Sequence, residues 1–100
     1  MSATLGIDPG IAGAWALLEC SGQLVAVGDL PVAGDVALAV PLLHVAPQTW
    51  KRHFNLPAEK EAARQRAIEL WPGSAADLAR KCDHGRAEAA LIGLWGVQAK

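Results

Sequence analysis

The sequence predicts an α/β domain, strands first and helices after. Short apolar runs fill residues 4–29, separated by turn-forming Pro, Gly and Ser. From Pro47 onward the chain is rich in strong helix formers, punctuated by Pro57, Pro72-Gly73 and Gly96. Strands followed by helices fit an α/β or α+β arrangement.

Thr4 to Ile7 reads as a short strand that ends in Asp8. Pro9-Gly10 then turns the chain, and Gly13 to Glu19 reads as the second strand of a hairpin. Ser21-Gly22 makes the next turn, and Gln23 to Asp29 gives a third strand, so the three form an antiparallel meander. Val36 to Val40 fits helix or strand, Asp35 falls in a turn, and Leu42 to Ala46 reads as a short strand stopped by Pro47. Gln48 to Phe54 reads as a short helix or turn. Pro57 suits a first helical position, so a helix is expected from there through Trp71. Ser74-Ala75-Ala76-Asp77 has the form of a capping box and opens a short helix. A last helix is expected over about His84 to Trp95, stopped by Gly96.

One hundred residues, 52% of them hydrophobic, fit one small domain with a single core. No apolar run reaches the length of a membrane span, and the N-terminus lacks the pattern of a secretory signal. Cys20 and Cys82 lack metal spacing and read as free thiols of a reducing cytoplasm. Net charge is −1, but its distribution is uneven. Residues 51–100 hold all nine Lys and Arg against six acids, +3, while residues 1–50 hold four acids and no Lys or Arg, −4. Such asymmetry fits a polyanion-facing second half. The alternative is that helices simply carry more charge than buried strands.

The candidate chemistry lies in two places. Asp8 ends the first strand beside glycines that keep the space above it open. A buried, unpaired acid there is costly, and a bound cation is one way to offset that cost. In the last helix, His84, Leu91, Ile92 and Trp95 fall within about 60° of Glu88 at ~100° per residue, which places Glu88 inside an apolar stripe. His84 lies one turn before it, and Asp83 suits the N-cap. Asp8, His84 and Glu88 together would make an oxygen-rich site for Mg²⁺, which takes few carboxylates plus water and phosphate. Glu88 could instead pair with Arg80, Lys81 or Arg86. Lys51, Arg52, Lys60, Arg64 and Arg86 are candidates for phosphate contacts, or else solvated helix faces. Trp50, Trp71 and Trp95 sit on apolar helical patterns and are expected in the core.

Taken in order, three segments resemble the RuvC family of Holliday-junction resolvases. Leu5-Gly6-Ile7-Asp8-Pro9-Gly10 with Gly13 resembles the family's first motif. Val45-Ala46-Pro47-Gln48-Thr49-Trp50-Lys51 resembles the V-x-P-x-x-W-K segment of its phage and bacterial branch. Asp83-His84-Gly85-Arg86-Ala87-Glu88-Ala89-Ala90-Leu91-Ile92-Gly93 resembles that branch's last catalytic helix. The resemblance implies an RNase H-like fold, a mixed sheet made of the three-strand meander plus at least one further strand, flanked by helices. It implies a Mg²⁺-dependent (or Mn²⁺-dependent) endonuclease that hydrolyses phosphodiesters at branched DNA in recombination and repair, usually as a homodimer. By the same resemblance Asp8 is the first-strand metal ligand and Glu88 the last-helix acid. The family's upstream partner stands three residues before that acid, which here is Gly85, so His84 or Asp83 takes its place. Helix geometry favours His84.

The chain departs from the family at one point. The family's second catalytic acid is a Glu at the end of a middle strand, and no strand-like run in residues 30–50 contains an acid. The middle of the chain reads as shortened. Two functions therefore stand side by side: a metal-dependent junction nuclease, and a catalytically impaired, DNA-binding member of the same family. An actin-like ATPase fragment is a third reading, disfavoured because this length holds no second nucleotide-binding domain.

Overall fold

The alternation of buried and half-exposed residues along Ala14-Trp15-Ala16-Leu17-Leu18 is that of a strand with one face in the core. In the computed structural model, which describes residues 3–8, 13–29, 45–80 and 83–99 apart from the Lys60 side chain, it is the central strand of three. Strand β1 spans Ala3–Asp8, β2 Ala14–Glu19 and β3 Leu24–Asp29, all antiparallel in the order β1-β2-β3. The register aligns Thr4 with Leu18 and Leu24, Gly6 with Ala16 and Val27, and Asp8 with Ala14 and Asp29. The β2–β3 turn closes with Gly22 N–H donating to the Glu19 carbonyl at 2.9 Å, and Gly22 takes φ 90°, which suits glycine.

The helices are α1 (Pro47–His53), α2 (Lys60–Leu70) and α3 (His84–Gln98), with a 3-10 helix at Pro72–Leu78 between α2 and α3. Helix α3 lies on the face of the sheet that carries Gly6, Ala16 and Leu18, and α2 packs on α3. Leu18, Leu78 and Leu91 are fully buried between these layers, with Trp50 and Trp71 also buried and Trp95 packed partly buried against them, as expected for core tryptophans.

Several boundaries differ from the sequence expectation. Helix α2 starts at Lys60, not Pro57: Leu56 packs against the core, and the chain runs on to an extended Glu59 before turning helical. Ser74 caps nothing. The 3-10 helix already begins at Pro72, directly after Trp71, whose indole N–H is fixed to the Gly22 carbonyl at 3.0 Å. Gly96 does not stop α3. It lies inside the helix, where an added methyl would make only an ordinary contact with Thr4 Cγ2 of β1 at 3.6 Å.

Val45 and Ala46 are not strand, and Ala46 is the extended residue before α1. The rest of the expected Leu42–Ala46 strand, Asp35, the Val36–Val40 segment and the Pro9-Gly10 turn lie outside the described residues. So does any further strand that would make the sheet mixed. Among the described residues no helix is long and apolar enough to cross a membrane. Cys20 is a free, exposed thiol, and Cys82 lies outside the described residues.

The Trp71 bond ties the β2–β3 turn to the end of α2. Trp71→Phe keeps most of the ring and loses the donor. It should cost about 1 kcal/mol in a urea titration, the ordinary net worth of one neutral hydrogen bond.

Candidate functional site

Gly6 fixes how strand and helix meet. A methyl at Gly6 would run into the Ala89 carbonyl oxygen and would stand 2.7 Å from the Gly93 nitrogen, so the backbones of β1 and α3 touch. Thr4 lies beside Gly96, one step further along the helix. Strand and helix therefore run in opposite directions. Two strand residues span ~6.7 Å, equal to four or five helical residues at ~1.5 Å each. Asp8, two residues beyond Gly6 on the same face, comes level with the first half of α3, where Glu88 sits.

Asp8 is partly buried, and so is Glu88. The expectation that Glu88 lies inside the buried stripe needs correction. The residues α3 buries are Gly85, Ala87, Ala89, Ala90, Leu91, Gly93 and Leu94. His84, Glu88, Ile92 and Trp95 form a partly buried border. The helix sinks its small residues against the sheet because they permit backbone approach, Leu91 and Leu94 are buried beside them, and His84, Glu88, Ile92 and Trp95 are left at the margin. Arg80 and Arg86 are bonded to Asp83 and Asp29, not to Glu88.

Asp83 is 2% exposed. Its side chain makes no capping bond to α3. It accepts the Arg80 backbone N–H at 3.0 Å, and both oxygens take the Arg80 guanidinium at 2.9 and 3.3 Å. Burial pushes its carboxyl up, but the Arg80 hydrogen bonds and the Arg80 and Arg86 charges outweigh this and hold it below 3.8. Asp83 is thus a structural acid, turned back toward Arg80, and His84, partly buried at the start of α3, is left as the candidate partner one turn before Glu88. Among the described residues no three His, Cys, Asp or Glu side chains converge as a metal-holding group, so Asp8, His84 and Glu88 do not form a three-ligand cluster.

Arg86 does not reach outward for phosphate. Its guanidinium grips Asp29 in two-point fashion at 2.9 and 3.2 Å and donates to the Asp77 carbonyl at 3.1 Å. The Arg86 hydrogen bond holds the Asp29 carboxyl below its usual range. Asp29 is the site-region residue that sequence reading passed over. The meander register places it in one row with Ala14 and Asp8 on the helix-facing side. Its likeness to Asp8, an acid closing an apolar strand, was the available signal. Arg64 is also held internally, by Glu61 and by the carbonyls of Leu78 and Ala79.

Lys51 and Arg52 stand apart from this seam. The Lys51 ammonium lies over the Trp50 ring, 5.5 Å from its centroid, and Arg52 is exposed. The side chain of Lys60 lies outside the described residues. No protein-family model matches the chain, and no curated protein matches it in sequence.

Proposed function

We propose that the chain is a RuvC-like, RNase H-like domain acting on branched DNA, with Asp8 and Glu88 as the acids of a divalent-cation site between β1 and α3. The observation that carries this reading is the glycine-mediated approach of β1 to α3, which brings the end of the strand level with the helical acid. Two carboxylates fit Mg²⁺, which commonly binds through one or two acids with substrate phosphate and water completing its shell. When bound there, Mg²⁺ or Mn²⁺ supplies the Lewis acidity for phosphodiester hydrolysis. The chain's own part is to fix the two acids on rigid elements, with His84 one turn before Glu88 on the same helix. By its resemblance to the RuvC family the domain works as a homodimer, cutting two strands of a Holliday junction, and the free Cys20 thiol fits a reducing cytoplasm.

A second reading, DNA binding without hydrolysis, is favoured by the lack of a three-ligand cluster among the described residues. A labelled four-way junction incubated with Mg²⁺ or Mn²⁺ separates the two. The nuclease reading expects cleavage by the wild type, lost in Asp8→Asn and in Glu88→Gln while junction binding is kept. Binding with no metal-dependent cleavage selects the second reading. Absence of both binding and cleavage in the wild type defeats both. Mg²⁺ should also raise the melting temperature of the wild type far more than that of Asp8→Asn.

A further inference from the structure

We infer that the Arg86–Asp29 ion pair is a positioning device that fixes the roll of α3 about its own axis and so aims Glu88 toward the end of β1. The inference deepens the proposed function and rests on its Asp8–Glu88 site.

Among the described residues, the first half of α3 has little else to set its roll. The residues it buries there are Gly85, Ala87, Ala89 and Ala90. Side chains this small raise only shallow ridges, and interdigitating ridges are what fix how one helix is turned against its neighbours. They set how closely helix and sheet approach, as at Gly6 against the Ala89 carbonyl, but they resist rotation weakly. Asp83, just before the helix, makes no capping bond to it.

Arg86 is the long side chain among these small ones. Its guanidinium takes both Asp29 oxygens, at 2.9 and 3.2 Å, and donates to the Asp77 carbonyl at 3.1 Å. A planar fork held at two points fixes direction as well as distance. Asp29 closes β3 and Asp77 belongs to the 3-10 helix, so the grip joins α3 to two other elements. Asp29 is 63% exposed, and an ion pair so open to water adds little to stability. What this pair adds is direction.

That direction bears on Glu88. Arg86 and Glu88 are two residues apart, ~200° around the helix. Turning Arg86 toward β3 therefore turns Glu88 to the flank away from β3. Strands β3 and β1 lie on opposite sides of β2, so that flank is on the β1 side, where Asp8 stands. A roll of ~20° carries a side-chain tip, ~5–6 Å from the helix axis, through about 2 Å. Such a shift is as long as a Mg²⁺–oxygen bond, ~2.0–2.1 Å, in a shell that tolerates little distortion.

The test uses the full chain with Mn²⁺ as the probe. Mn²⁺ affinity is measured by electron paramagnetic resonance for wild type, Asp8→Asn, Arg86→Ala, Asp29→Ala, the Arg86→Ala/Asp29→Ala double variant and Arg64→Ala, each checked for folding by thermal melting. Charge alone would give opposite effects: losing Arg86 strengthens cation binding, and losing Asp29 weakens it. The lock predicts that both single variants weaken it, by about tenfold, the lower end for residues that support metal ligands. The double variant should be no weaker than either single one, because all three break the same contact. Arg64→Ala removes an internal grip of α2 on the Leu78 and Ala79 carbonyls and should keep the wild-type affinity. A second readout needs no metal. Nitroxide labels on Asp8→Cys and Glu88→Cys, in a Cys20→Ser/Cys82→Ser background, should give a distance distribution that broadens when Arg86→Ala is added. Where Asp8→Asn weakens Mn²⁺ binding, an unchanged affinity in folded Arg86→Ala overturns the lock, as do opposite shifts in the two single variants. A distance distribution that Arg86→Ala leaves unchanged also overturns it. Equal Mn²⁺ binding by wild type and Asp8→Asn removes the proposed cation site instead, and the label distances then decide the lock alone.

Discussion

Gly6→Ala should lower stability by about 3 kcal/mol, at the upper end of what adding one methyl group to a packed interior costs. The new carbon would meet the Ala89 carbonyl, the Gly93 nitrogen at 2.7 Å and the Gly93 Cα at 2.9 Å. All three are backbone atoms of a helix that is itself wedged between sheet and α2, so no rotamer change relieves the clash. Gly6 does not take the left-handed conformation, so the penalty is steric alone. Two companions calibrate it. Gly93→Ala meets chiefly the Leu18 methyl, which can rotate, and should cost less. Gly96→Ala meets only Thr4 Cγ2 at 3.6 Å, an ordinary contact, and gains up to ~1 kcal/mol of helix propensity, so it should be neutral or stabilising. Urea midpoints in the order Gly6→Ala lowest, then Gly93→Ala, then Gly96→Ala would support this packing. Equal midpoints would mean that α3 is not seated on β1. If the proposed Asp8–Glu88 cation site binds Mg²⁺, any folded Gly6→Ala protein should show a smaller Mg²⁺-dependent rise in melting temperature than the wild type.

The strands were legible because composition and turn chemistry agreed. Short apolar runs marked the strands, and Gly, Pro or Ser marked the breaks between them, so the three runs were placed within one residue of their observed ends. Helix ends were less legible because tertiary contacts moved them. Leu56 entering the core delayed α2, and Trp71 reaching Gly22 started the 3-10 helix ahead of Ser74. The candidate site was half legible. Asp8 could be placed on its strand from letters alone. The small residues Ala87, Ala89 and Ala90 pointed to a helix packed closely on a sheet, but which large neighbours join them in the core was not legible: Leu91 and Leu94 are buried, while Ile92 and Trp95 stay partly exposed. The partners of Arg86 and Asp83 were hidden for a different reason: Asp29 lies 57 residues from Arg86 in sequence, and Arg80 reaches Asp83 only through a local turn.

Arg80→Ala should be more destabilising than its exposure suggests. Arg80 is 64% exposed, whereas its partner Asp83 is 2% exposed. Removing the arginine leaves a buried carboxylate with the Arg86 guanidinium at 4.0 Å as its nearest cation among the described residues. Stripping one member from a buried pair costs roughly 3–5 kcal/mol, and the remaining Arg86 charge should reduce this to about 2–3 kcal/mol. Arg86→Ala makes the converse case, because the Asp29 it abandons is 63% exposed and water can take over. The pH dependence carries the sharper test. In the wild type Asp83 titrates below 3.8 when folded, so the folded state binds fewer protons than the unfolded one. Its stabilisation is complete above 3.8 and is lost as pH falls toward the lowered folded value. In Arg80→Ala the guanidinium bonds are gone and burial remains, which moves the folded value upward. Once it exceeds the unfolded value, acidification stabilises the variant at this residue. The stability difference between wild type and Arg80→Ala, read from urea titrations, should therefore narrow between neutral pH and about pH 4. Asp83→Asn, which has no proton to bind, should differ from Arg80→Ala in showing no such gain on acidification. A difference that stays constant through this range would mean that Asp83 is solvated once Arg80 is removed, and that α3 begins less deeply buried than its 2% exposure indicates.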